Sequence, residues 1–261
     1  LKAVDLNHEV LGSGDLPLVV LHGLFGAGRN WRALAKKLSE QCRVYLLDMR
    51  NHGHSPQSEF MDYPHMAADV AAFLQCQGLE RANILSHSMG GKAAMWLCLT
   101  QPDNIERIAV VDIAPVAYQH NFNIIVDALL RLPLAEINKR QQADSLLSVD
   151  IQEQGLRQFL LQNLESVQDG FRWRIDLDII KAALPNILGF PSLDNISPYQ
   201  NKALFLRGGK SKYLLDEHKH DIGALFPKVQ YQTIAGAGHW PHVDQPDLFL
   251  DTVKQFFCIN L

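Results

Sequence analysis

A chain of 261 residues with 47% hydrophobic side chains can bury one substantial core, and its formal net charge of −4 is spread without blocks. It offers neither a basic patch interleaved with aromatics nor an acidic tail, so no nucleic-acid partner and no solvating arm are expected. No apolar run is long enough to span a bilayer, the start carries no basic-then-apolar leader, and Cys42, Cys76, Cys98 and Cys258 are scattered without metal-ligand or redox spacing; a cytoplasmic protein with reduced core cysteines and no membrane insertion is expected.

From the amino end, strand-like runs are predicted at 6–11 and 18–21, the second running into His22-Gly23-Leu24-Phe25-Gly26, a glycine-bearing turn that opens a helix over 30–39. A strand at 44–47 leads into the polar loop from Asp48 to Ser55, whose acid and base can satisfy turn amides and carbonyls. As a metal site, Asp48 with His52 and His54 lacks a convincing geometry, and none is assigned. Pro64 starts a helix with an alanine-rich face over 66–77, followed by a strand at 84–85, a helix at 92–100 and a strand at 108–111. Between 115 and 198 the strand pattern stops, and helical patterns appear at 124–132, 137–147, 155–164 and 175–184. Strands resume at 203–206 and 229–234, and a helix over 248–257 follows. Such alternation implies an α/β fold with a mostly parallel central sheet and helices on both faces. Residues 1–114 and 199–261 are read as that core and 115–198 as a helical cap inserted over it.

Where the strand at 84–85 ends, Ser86-His87-Ser88-Met89-Gly90-Gly91 has the grammar of a nucleophile elbow, a sharp strand-to-helix turn that displays one side chain. Ser88 is the displayed nucleophile, and small residues at 86 and 90 let the backbone cross closely. The amides that open the following helix favour an anionic intermediate beside the serine. Met89 is placed to give one oxyanion donor and Leu24 the other, with Phe25 as a substitute because sequence does not say which amide of that turn points inward. His239, in the glycine-flanked run Ala235-Gly236-Ala237-Gly238-His239-Trp240-Pro241, is read as the general base on a mobile, open loop. His22 and His87 read as backbone organisers, and His52, His54 and His242 lie on loops without a partner pattern.

The acid has two named candidates, with some other cap or loop acid as the remaining alternative. Asp112 ends the strand at 108–111, at the edge where parallel sheets build their sites. Asp216 follows the strand at 203–206, beyond a loop that carries Ser211 and no carboxylate. Asp112 is preferred, with Ser211 either a fourth member bonded to Asp112 or His239, or an ordinary turn serine.

Taken together, His22-Gly23-Leu24-Phe25-Gly26, the Asp48–Ser55 run, Ser86-His87-Ser88-Met89-Gly90-Gly91-Lys92 and Gly236-Ala237-Gly238-His239 resemble the α/β-hydrolase superfamily. Val111-Asp112-Ile113-Ala114-Pro115 and Arg207-Gly208-Gly209-Lys210-Ser211-Lys212-Tyr213 resemble more narrowly its bacterial YbfF-type esterases and their eukaryotic abhydrolase relatives, in which the acid follows the earlier strand and a serine occupies the later loop. One departure is Ser86, where the elbow commonly begins with glycine. The resemblance implies a cofactor-free serine carboxylesterase with Ser88, Asp112 and His239 as its triad and Ser211 auxiliary, acting on short-to-medium acyl esters or thioesters. Phe25 and Trp240, with Phe122, Phe159 and Phe190, are candidate pocket residues beneath the cap. A carbon-carbon bond hydrolase or lyase on the same triad, and a non-catalytic binding module, are the rival readings; oligomeric state is left open.

Overall fold

The computed structural model describes residues 1–120, 122–168 and 170–259. Apolar runs form its centre. Strands β1 (His8–Leu11) and β2 (Leu16–Leu21) precede helix α1 (Arg32–Leu38), β3 (Cys42–Leu47), α2 (Tyr63–Cys76), β4 (Ala82–His87), α3 (Met89–Thr100) and β5 (Ile105–Val111). Then follow α4 (Phe122–Leu130), α5 (Arg140–Leu147), α6 (Gln154–Leu161), β6 (Leu164–Val167), β7 (Gly170–Trp173) and α7 (Leu177–Leu188). The chain returns through β8 (Lys202–Gly208), α8 (Lys219–Leu225), β9 (Val229–Ile234), the short turn α9 (Pro241–Asp244) and α10 (Pro246–Phe257).

Among the described residues seven strands make one sheet in the order β1-β3-β2-β4-β5-β8-β9, antiparallel only at β1. Every residue of β4 is buried, as a strand covered on both faces requires, whereas the edge strand β9 alternates toward solvent. One apolar cluster packs α2, α3 and the inserted helices on one face; a second packs α1 and α10 on the other. Because β4 and β5 run parallel in register, with Ser86 beside Val110 and His87 beside Val111, their ends deliver residues 88 and 112 to the same edge.

Local signals explain the helix starts. Asp62 caps α2 by accepting from the His65 amide, with Pro64 in the first turn, and Asp176 caps α7 by accepting from the Asp178 and Ile179 amides. The buried pair Arg50–Asp69, bidentate at 2.6 and 2.7 Å with neither side chain exposed, fastens the loop after β3 to α2. No helix of the described residues is long and apolar enough to cross a membrane.

Three sequence expectations are corrected. Residues 115–198 contain a strand pair, because β6 and β7 form an antiparallel hairpin too short and too polar to show a period. Only Cys42 and Cys98 are core residues; Cys76 and Cys258 end α2 and α10 and are exposed. The first helix begins with a 3-10 turn at Gly28–Trp31, and α1 proper starts at Arg32.

Candidate active site

The turn between β4 and α3 places Ser88 at φ +51° and ψ −119°, a conformation that side chains rarely adopt and that the packing must enforce. Gly90 is what permits it: a Cβ there would stand 2.6 Å from the His22 carbonyl oxygen. At residue 86 the usual glycine is not needed, since the serine hydroxyl is buried and donates to the Ala109 carbonyl at 3.1 Å.

His239 reaches Ser88 from the loop after β9. Its Nε2 lies 3.2 Å from Ser88 Oγ, and its Nδ1 lies 2.7 Å from Asp112 Oδ2. Asp112 is fully buried at the end of β5, with φ +54°, and its other oxygen accepts from the Gly208 amide at 3.0 Å. The Ser211 hydroxyl donates to the same Oδ2 that meets His239. Asp216 is elsewhere: it is exposed, and Lys219, then Arg207, pair with it and hold its carboxyl below the usual range. The structure thus brings Ser88, His239, Asp112 and Ser211 together and leaves Asp216 outside.

The loop that carries His239 is held rather than mobile. Gly238 donates its amide to Asp244 Oδ2 at 2.7 Å, and buried His87 donates from Nε2 to the His239 carbonyl at 2.8 Å. Burial, then the neighbouring His239 and His242, push His87 well below the ordinary histidine value, so it serves as a neutral donor. Tyr213 stacks on the His239 ring at 3.9 Å between centroids.

Opposite Ser88, a pair of buried histidines shapes the turn after β2. His22 Nδ1 bonds the Gly23 carbonyl at 2.8 Å while its Nε2 accepts from the Met49 amide. His52 Nδ1 bonds the Arg50 carbonyl at 2.9 Å while its Nε2 accepts from the Phe25 amide at 3.0 Å. Burial lowers both, His52 to about 3, so the neutral tautomers that these bonds require are the stable ones. Phe25 sits at φ +63° with its amide occupied, which removes it as an oxyanion donor. Among the described residues, the Leu24 and Met89 amides have no acceptor in the protein. A Cβ on Gly23 would come within 3.1 Å of Ser88 Cβ, which measures how closely this turn abuts the serine. Sequence reasoning missed His52, because its partner lies 27 residues away and no local pattern links them. The carboxylate of Asp48 is taken up by the Gly28 and His54 amides and the Asn7 side chain, so Asp48, His52 and His54 do not converge on a metal.

A cavity of about 240 Å³ opens beside Ser88 and His239. Leu24, Phe25 and Trp240 line it from the core, and Phe122, Ile125 and Phe159 from α4 and α6. Phe190 does not; it packs between Tyr63 and Trp96. His242, stacked on Trp31 at 4.1 Å, is an additional polar lining residue.

The family model described as alpha/beta hydrolase fold matches residues 17–246. The chain is 41% identical over 268 aligned residues to the sn-1-specific diacylglycerol lipase ABHD11 of Mus musculus, covering 99% of this chain and 87% of that protein. Against the esterase YbfF of Escherichia coli (strain K12) identity is 36%, with 92% of each chain covered. Among solved structures, one described as a marine microorganism esterase superposes with a TM-score of 0.93 at 39% identity, over 97% of this chain and 99% of that one.

Proposed function

Because the chain belongs to the α/β-hydrolase family and is an ester-hydrolysing enzyme of the YbfF type, we propose that Ser88 is its nucleophile, His239 its general base and Asp112 its triad acid. Ser88 attacks the ester carbonyl carbon while His239 Nε2 takes the hydroxyl proton. Asp112 fixes the imidazole tautomer through Nδ1 and stabilises the imidazolium without taking the proton. The Leu24 and Met89 amides receive the oxyanion, and His239 then protonates the departing alkoxide. Water, deprotonated by the same histidine, releases the carboxylic acid and restores Ser88.

The observation that carries this reading is the pair of bonds on one imidazole, 3.2 Å to Ser88 Oγ and 2.7 Å to Asp112 Oδ2. Residues 115–198 act as a cap, since α4 and α6 contribute the apolar wall of the cavity. That wall suits a short-to-medium acyl chain on an ester or thioester. The four cysteines, all free thiols, support a reducing, cytoplasmic setting.

The test is steady-state hydrolysis of p-nitrophenyl esters from acetate to decanoate, with Ser88→Ala in parallel and labelling by a fluorophosphonate. Loss of both turnover and label in the variant supports the assignment; wild-type turnover in Ser88→Ala overturns it.

A further inference from the structure

Lys92 lies one helical turn after Ser88 on α3, and only 1% of it is exposed. A buried ammonium is costly unless its three protons are met, and here three carbonyls meet them: Val116 at 2.7 Å, Leu188 at 3.0 Å and Gly189 at 2.6 Å. No carboxylate takes part in these bonds. Instead the Tyr118 and Tyr63 rings face the ammonium, with Nζ at 4.7 and 5.6 Å from their centroids. Val116 lies on the chain entering the cap, between β5 and α4. Leu188 and Gly189 lie where the chain leaves it, at the end of α7, where free carbonyls carry partial negative charge. The two crossings also bond each other, through the Tyr118 amide and the Leu188 carbonyl at 2.9 Å.

We propose that Lys92 is a positioning residue that ties both hinges of the cap to the helix presenting Ser88, and so sets where Phe122 and Ile125 stand over the acyl cavity. This rests on the serine-esterase and cap reading above. Five residues separate Val116 from Phe122, and α4 packs on α7, so a shift at either hinge is transmitted to the cavity wall. Burial draws the ammonium down to about 7, while the three carbonyls and two ring faces favour the charged form. The other titratable groups facing it are Tyr63 from α2, Tyr118 from the hinge and His120, and burial holds both phenols neutral.

The experiment compares Lys92→Met, which keeps the length and removes the donors, with Lys92→Gln, which keeps two N–H donors. KM and kcat are measured on p-nitrophenyl acetate and octanoate, alongside fluorophosphonate labelling of Ser88. A cap pin predicts that Lys92→Met raises KM for octanoate about tenfold, changes acetate kcat less than about threefold and leaves the labelling rate near wild type, with Lys92→Gln in between. If KM for the two esters moves together, or neither moves, the pin is overturned. Failure of both variants to fold by circular dichroism also overturns it, since Lys92 would then be a requirement of the core. A wild-type protein that does not label at Ser88 would instead sink the underlying serine-esterase reading.

Discussion

Ser211 gives its hydroxyl to Asp112 Oδ2, the same oxygen that His239 Nδ1 approaches at 2.7 Å. The carboxylate is thereby held by three groups, since the Gly208 amide takes the other oxygen. Removing the hydroxyl leaves the proposed triad in place but deletes one bond to a charged acceptor, worth roughly 1.5–3 kcal/mol. Ser211→Ala is expected to lower kcat about tenfold with KM nearly unchanged. Steady-state kinetics of the variant beside wild type check this, and an unchanged kcat would show that the Ser211 bond does not support the carboxylate.

The same geometry separates the two candidate acids. Asp112→Asn is expected to lower kcat by about 10⁴, because the amide no longer selects the tautomer that leaves Nε2 free to accept. Asp216→Asn, which disturbs only exposed pairs with Arg207 and Lys219, is expected to change kcat less than about twofold. Parallel kinetics of the two variants decide the assignment; equal losses would remove Asp112 from the triad.

His52 holds the turn that offers the Leu24 amide. His52→Phe leaves the Phe25 amide without its acceptor and lets the turn shift. Deleting one oxyanion donor costs on the order of 10²–10³ in rate, so displacing one is expected to lower kcat about 10- to 100-fold with little change in KM. Retained kcat in a folded His52→Phe would show that the turn does not depend on this bond.

The buried histidines also make stability pH-dependent. Unfolded, His52 titrates near 6.5; folded, burial holds it down to about 3. The unfolded chain therefore binds the extra proton between these values, and the stability that neutral His52 contributes is complete above pH 6.5 and is lost as pH falls toward 3. The slope is about 1.4 kcal/mol per pH unit for this group. Burial lowers His22 and His87 too, so their contributions have the same sign. Urea unfolding at pH 7, 6 and 5 is expected to show a steep loss, with a shallower slope in His52→Gln.

What sequence shows of this site is what neighbouring residues encode. Ser88 and His239 sit in local turns with glycine signatures, and Asp112 ends an apolar run, so each is readable where it stands. Alternating apolar segments likewise carry the sheet and its parallel sense. The His52–Phe25 and His87–His239 bonds join residues from distant parts of the chain, and no periodicity records them. The β6–β7 hairpin escaped for a different reason: four-residue strands with exposed polar positions produce no alternation to detect. Cys76 and Cys258 were misplaced because apolar neighbours in sequence do not bury a residue at a helix end.

Acyl preference follows from the cavity. Its wall of Phe122, Ile125, Phe159 and Trp240 is apolar, and each methylene moved into such a wall gains about 0.8 kcal/mol. Across a p-nitrophenyl series, kcat/KM is therefore expected to rise by up to about fourfold per added methylene until the cavity is full, and then to level or fall. Phe159 packs on Trp240 at 5.6 Å between centroids, so Phe159→Ala enlarges the cavity at its α6 wall without altering Ser88 or His239. The variant is expected to move the optimum to longer chains while acetate turnover stays within about threefold of wild type. An optimum that stays in place would mean that the acyl chain leaves the cavity by another side, away from α6.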